Sequence, residues 1–188
     1  MLVNSTPVML TARHRRYGAG GGFTLLELLI VVSVLTILLA VAIPSMQALL
    51  TRNHLKAAAQ ALAEDLQWTR SESIVRNQML RVVFDVNHWC YGIDEDASAT
   101  NSCDCRRSPG ETGACSLKQV SGAAFPGITL AGTFAATRFE PRRATALNGS
   151  LTLTAANGLA LRVVLSRLGR VRICAPAGSF AGYEPCSG

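Results

Sequence analysis

From Phe23 to Ile43 the chain runs 21 residues with a single charge, Glu27. As a helix rising ~1.5 Å per residue, such a run spans ~31 Å, which matches the hydrocarbon core of a bilayer. Arg13, Arg15 and Arg16 precede it in a segment without acidic residues. The excess of cations keeps that end cytoplasmic and sends the rest of the chain across the membrane. A cleavable secretory signal would have a shorter apolar region closing on small residues at its cleavage point. Here Ala40-Val41-Ala42 leads straight into further helix-like sequence. A carboxylate near the start of a lipid-embedded helix costs a few kcal/mol on insertion scales, so Glu27 requires a partner.

The remainder reads as an exported head. At 188 residues the chain has room for one compact domain and an appendage. Its six cysteines, Cys90, Cys103, Cys105, Cys115, Cys174 and Cys186, all follow the apolar run, as suits an oxidising compartment. Cys174 and Cys186 close a short C-terminal loop and are the favoured pair, while the pairing of the other four stays open. Cys103-Asp104-Cys105 lacks the paired spacing of zinc modules and has no histidine nearby, which argues against a metal site. No cofactor is expected.

Charge is unevenly placed. Lys and Arg number 18 against 12 Asp and Glu, and beyond residue 22 the balance is 15 against 12. From residue 138 onward, seven arginines oppose only Glu140 and Glu184. The C-terminal part is therefore basic.

After Pro44, where a missing backbone hydrogen bond predicts a kink, Leu55, Ala59, Leu62, Leu66 and Ser73 recur at mostly helical spacing. One long helix to about Asn77 is predicted, its second half amphipathic and packed on the head. Beyond it the period changes. Leu80–Val86, Gly127–Leu130, Leu151–Thr154 and Leu161–Leu165 read as short strands. Residues 94–126 show little strand character and form a long connection that disulfides would staple. The expected class is α+β: a long N-terminal helix on a small antiparallel β-sheet head with disulfides.

The segment Leu161 to Cys174 is the most informative part of that head. Apolar and polar residues alternate, break at Arg167-Leu168-Gly169 and resume through Arg170-Val171-Arg172-Ile173. A three-residue loop ending in glycine is a common hairpin connection. It sets Val164 against Arg172 and Arg162 against Cys174, with Leu161, Val163, Leu165, Val171 and Ile173 on the opposite face. A two-residue loop would mix the faces, so the pattern selects the longer turn. The outer face then presents Arg162, Arg170 and Arg172, with Arg167 at the turn. Like charges opposed on a sheet are mildly destabilising unless something anionic lies between them. A solvated face that keeps the protein soluble is the alternative.

Two stretches carry a family resemblance. Gly22-Phe23-Thr24-Leu25-Leu26-Glu27-Leu28-Leu29 resembles the processing motif of type IV pilins and type II secretion pseudopilins. The resemblance implies that a prepilin peptidase cuts between Gly22 and Phe23 and methylates the new amine, and that Glu27 pairs with a neighbouring subunit's N-terminal amine during assembly. It divides the chain into a leader (1–22), a transmembrane and polymerisation helix (23–43), the amphipathic half of that helix (44–77) and a β-rich periplasmic head (78–188). It implies a single-pass inner-membrane protein that later joins an extracellular pilus. Gly169-Arg170-Val171-Arg172 is similar to the Gly-Arg-x-Arg motif of FimT-type minor pilins, which bind DNA during natural transformation. With Trp89, Pro44 and the strand-rich head, the resemblance extends to the GspH/FimT family over nearly the whole mature chain.

The resemblance implies DNA contact through Gly169, Arg170 and Arg172; the hairpin pattern adds Arg162 and Arg167, and Arg142, Arg143, Arg106 and Arg107 are secondary candidates that would extend the basic surface. Duplex DNA held by its backbone is expected, because aromatic stacking residues near the hairpin are limited to Phe180 and Tyr183. No phosphate-binding loop, H-E-x-x-H metal motif or nucleophile elbow occurs, and His14, His54 and His88 have no nucleophile beside them. A non-enzyme is expected. Two classes stay open: a DNA-binding minor pilin for uptake, and a structural minor pilin or secretion pseudopilin that initiates or caps a filament.

Overall fold

The computed structural model describes residues 22–95, 103–143, 145–176 and 180–186. Residues 1–21, with the three arginines of the expected leader, lie outside them. The chain divides into two compact units, one ending at Ala42 and one running from Ile43 to Gly188.

The first unit carries the beginning of helix α1 (Leu25–Arg76). Thr24 caps it, its Oγ1 accepting the Glu27 N–H at 3.2 Å, and Glu27 occupies the favourable first turn. Every side chain from Phe23 to Ala42 is exposed. The most apolar 18-residue window of α1 has a mean hydropathy of 2.9 and none of it is buried. Ser33 and Thr36 donate their hydroxyls to the helix's own carbonyls, at 2.7 and 2.8 Å to Leu29 and Ser33. That leaves few polar groups for a lipid environment to penalise. By length and composition this segment suffices to cross a membrane.

The second unit begins with the remainder of α1, whose backbone stays helical through Pro44. Leu55, Ala58, Ala59, Leu62, Ala63, Leu66, Thr69 and Ser73 form its buried stripe, the spacing of one helix face. The helix stops at Arg76, and Asn77 follows it with a φ of 51°, the left-handed cap conformation.

Among the described residues eight strands follow: β1 (Leu80–Asp85), β2 (Cys90–Glu95), β3 (Lys118–Ser121), β4 (Ile128–Gly132), β5 (Ala136–Phe139), β6 (Gly149–Ala155), β7 (Ala160–Leu165) and β8 (Val171–Cys174). They form two antiparallel sheets of four strands, ordered β3-β2-β1-β5 and β4-β6-β7-β8. The head thus holds two sheets where one was expected, and β2, β3 and β5 are strands the sequence pattern missed. β3 lies inside the stretch read as lacking strand character. One apolar cluster joins the helix stripe to Val82, Phe84, Tyr91, Ile93 and Phe139 of the first sheet and to Leu130, Leu151, Leu153, Leu161, Val163 and Leu165 of the second.

Two further features hold the first sheet. Asp65, 7% exposed, accepts the Tyr91 hydroxyl at 2.8 Å and the Lys118 ammonium at 2.6 Å, tying α1 to β2 and β3. Burial, then the Asp65 charge, raises the Tyr91 pKa far above its usual value. Disulfides Cys90–Cys105 and Cys103–Cys115 form a second buried cluster with Val83 beside it. They cover the face of β2 where Gly92 sits, and a Cβ there would collide with Cys115 Sγ. The third disulfide joins Cys174 to Cys186.

Candidate nucleic-acid interface

Strands β7 and β8 form a hairpin with Val164 opposite Arg172, Arg162 opposite Cys174 and Leu165 opposite Val171. The loop is Arg167-Leu168-Gly169. Gly169 has a φ of 68°, and its N–H donates to Ser166 O at 2.9 Å. Ser166 closes the turn a second way, since its N–H donates to Arg170 O at 3.0 Å and its hydroxyl accepts the Arg170 N–H at 3.1 Å. Leu161, Val163 and Leu165 are buried, while Arg170 and Arg172 are exposed. β8 ends the second sheet, so the two arginines flank an open edge.

The arginines of the hairpin differ in their surroundings. Arg170 forms no side-chain ion pair among the described residues. Arg172 comes within 3.7 Å of Glu184, both side chains being well exposed, a contact of little energetic weight in water. Arg162 is half-buried and donates from Nε to Thr152 on β6 at 3.2 Å. It lines a shallow depression of about 250 Å³ with Val164 and Cys186. The Arg167 carbonyl accepts the Ala146 N–H at 3.0 Å, which fastens the turn to the β5–β6 connection. Its side chain lines a larger cavity of about 920 Å³, together with Arg143. The structure therefore groups Arg170 and Arg172 on the edge, and Arg167 with Arg143 beside the turn. Arg142 is exposed on the same connection but does not line that cavity.

Arg106 and Arg107 are engaged elsewhere, in the disulfide-linked loop before β3. Arg106 donates from Nε and Nη2 to Asp104 at 3.0 and 2.9 Å, and Arg107 donates to Thr112 O at 2.6 Å. The Arg106 side chain, then its backbone N–H, holds the Asp104 carboxyl down at about 2. These two cations are committed to local structure.

The C-terminal loop lies against the second sheet. Ala175 N–H donates to Glu184 O at 2.8 Å and Cys186 N–H to Ala175 O at 3.1 Å. Phe180 is 3% exposed, its ring 5.5 Å from Tyr183 in an edge contact and 4.8 Å from the Arg52 guanidinium. It serves as core and offers no open face to a base. His88 accepts a turn role, with its Nδ1 2.7 Å from Asp85 Oδ2 between β1 and β2. All six cysteines are in disulfides, and among the described residues no cluster of His, Cys, Asp and Glu is arranged to hold a metal.

A family model described as "Type II transport protein GspH" matches residues 58–169. No curated protein matches the chain. Among solved structures, the minor pseudopilin EpsH from the type 2 secretion system of Vibrio cholerae is 17% identical, with 65% of this chain and 98% of that one covered and a TM-score of 0.49. The type IV minor pilin FimU of Pseudomonas aeruginosa is also 17% identical, with 69% and 97% covered and a TM-score of 0.49.

Proposed function

This chain belongs to the GspH family of pilin-like type II transport proteins, and on that premise we propose that it is a minor pilin that enters a pilus and holds duplex DNA during uptake. The observation that carries the reading is the β7–β8 edge, where a turn fixed by Gly169 and Ser166 sets exposed Arg170 and Arg172 on one hairpin. Arginine suits the task because its planar fork engages a phosphate through two hydrogen bonds and keeps its charge near neutral pH. Contact is to phosphates and so is largely independent of base sequence. With two to four phosphates neutralised, log affinity falls against log salt with a slope of roughly −2 to −4. Display of several subunits side by side raises the apparent affinity.

The same reading assigns the rest of the chain. A prepilin peptidase removes residues 1–22 and methylates the Phe23 amine. The helix through residue 43 anchors the subunit in the inner membrane with its head in the periplasm, Pro44 bends the helix, and Glu27 pairs with a neighbouring subunit's amine.

The test is fluorescence anisotropy of labelled duplex DNA with residues 43–188, a fragment that keeps every core residue, since the first of these is Leu55. The native fragment binds at low salt, and Arg170→Ala/Arg172→Ala lowers affinity at least tenfold, about 1.4 kcal/mol. Binding unchanged by the double substitution removes the site. No binding at low salt returns the chain to a structural role in initiating or capping a filament.

A further inference from the structure

The cavity beside the turn plays no part in the hairpin edge that carries Arg170 and Arg172. It has a volume of about 920 Å³ and is lined by Arg81, Arg138, Arg143 and Arg167, with Glu140 the only carboxylate among the lining residues. A space of this size suits a small ligand and excludes a DNA duplex. We infer that this cavity is a phosphate-monoester site, flanked by Arg143 and residues 145–148 on one side and by Arg167 of the β7–β8 turn on the other.

Two strands set the back of the cavity. Arg81 of β1 pairs in register with Arg138 of β5, an arrangement of like charges across a sheet that is ordinarily avoided. Arg81 is 5% exposed. Both arginines have interactions of their own and form part of the wall. The site rests instead on Arg143 and Arg167, which are exposed and form no ion pair among the described residues. The hydrogen bond from Ala146 N–H to Arg167 O, 3.0 Å long, ties the two loops that carry them. Each therefore faces the same cavity from a different element.

A phosphate monoester has more than one terminal oxygen, so two guanidinium forks can share it. A phosphodiester within a duplex reaches only the rim, because its flanking nucleotides hold it outside. Two sources carry the required chemistry: the 5′-terminal phosphate of a DNA strand and a free phosphorylated compound. Neither uses Arg170 or Arg172, so the site stands apart from the hairpin edge.

The experiment uses the full-length chain in a neutral detergent. Inorganic pyrophosphate is titrated by calorimetry, and short blunt duplexes with and without 5′ phosphates are compared by anisotropy through a label at one 3′ end. Pyrophosphate binds the native chain, Arg143→Ala/Arg167→Ala weakens it at least about tenfold, and Glu140→Gln tightens it. Both arginines are exposed, and circular dichroism and melting temperature verify that the variant folds. Arg170→Ala/Arg172→Ala leaves pyrophosphate binding in place.

A preference for the 5′-phosphorylated duplex that disappears in Arg143→Ala/Arg167→Ala assigns the site to DNA ends. Equal binding of the two duplexes, with pyrophosphate still bound, assigns it to a free phosphorylated compound. No pyrophosphate binding to the native chain, or binding unchanged in Arg143→Ala/Arg167→Ala, overturns the inference. So does loss of pyrophosphate in Arg170→Ala/Arg172→Ala, which would place the anion on the hairpin edge. Failure of all duplex binding overturns the uptake reading alone, since pyrophosphate still probes the cavity.

Discussion

Asp104 illustrates how an arginine is used up. Its carboxylate receives the Arg106 side chain at 2.9 and 3.0 Å and the Arg106 backbone N–H at 3.0 Å, which holds its pKa at about 2, below the ordinary 3.8. A depressed carboxylate stabilises the folded state above its unfolded pKa, and that contribution is lost as pH falls through the folded value. The contribution of this group is therefore intact at neutral pH and disappears between about pH 4 and pH 2. NMR titration of the Asp104 carboxyl carbon gives a midpoint near 2 in the native protein, moving toward 3.8 in Arg106→Ala. An unchanged midpoint would show that the arginine is not the cause. The same pairing explains why Arg106 is a poor choice for binding a polyanion: a phosphate must first displace Asp104. That signal was present in the sequence, where the acid lies two residues before the arginine. By contrast, Arg170 and Arg143 have no acidic residue so near.

Elements differ in how much of their structure local sequence encodes. The β7–β8 register follows from alternation plus one glycine, and the observed partners are the ones that pattern selects. Gly169 at φ 68° is the hinge of that argument, so Gly169→Ala costs about 1 kcal/mol and Gly169→Asn less, as urea denaturation measures. If the hairpin holds duplex DNA as proposed, its binding falls with Gly169→Ala because both arginines depend on the turn; retention at full affinity would mean that the hairpin need not be rigid. The buried stripe of α1 was equally legible, since helical spacing is a local property. β2 was not legible, because Cys90 and Gly92 owe their burial to disulfides with residues more than ten positions away. β3 and β5 are four-residue edge strands with too few apolar residues to reveal a period. The partnership of Arg143 and Arg167 depends on a contact between loops, which no local pattern contains. Gly92 offers a second check on this non-local order. Gly92→Ala drives a Cβ into Cys115 Sγ, so non-reducing peptide mapping is expected to show the Cys103–Cys115 bridge lost or reshuffled. An intact bridge in a normally stable protein would mean that the disulfide loop yields easily.

For the whole molecule the central question is why a subunit with so apolar a helix retains Glu27. The local contact belongs to its backbone: Glu27 occupies the third position after the Thr24 cap, whose Oγ1 accepts the Glu27 N–H at 3.2 Å. That bond survives any side chain at position 27, so helix capping does not require the carboxylate. In lipid the charge costs up to about 3 kcal/mol, and removing it should improve anchoring. If the charge instead serves assembly, anchoring and assembly respond in opposite directions. Glu27→Leu then leaves the membrane-bound pool intact or larger, while the amount recovered in sheared filaments drops at least about tenfold, equivalent to the loss of about 1.4 kcal/mol at the subunit contact. Glu27→Gln separates charge from shape, because it keeps the length and polarity that suit the first helical turn; it is expected to fail in the same way as Glu27→Leu. The head provides the internal control, since its core begins at Leu55 and its disulfides and melting temperature are unaffected by either change. Immunoblots of membrane and sheared fractions measure both pools at once. Normal incorporation of Glu27→Gln would mean that position 27 works by fit in the first turn, and the pairing of its charge with a neighbour's amine would have to be abandoned.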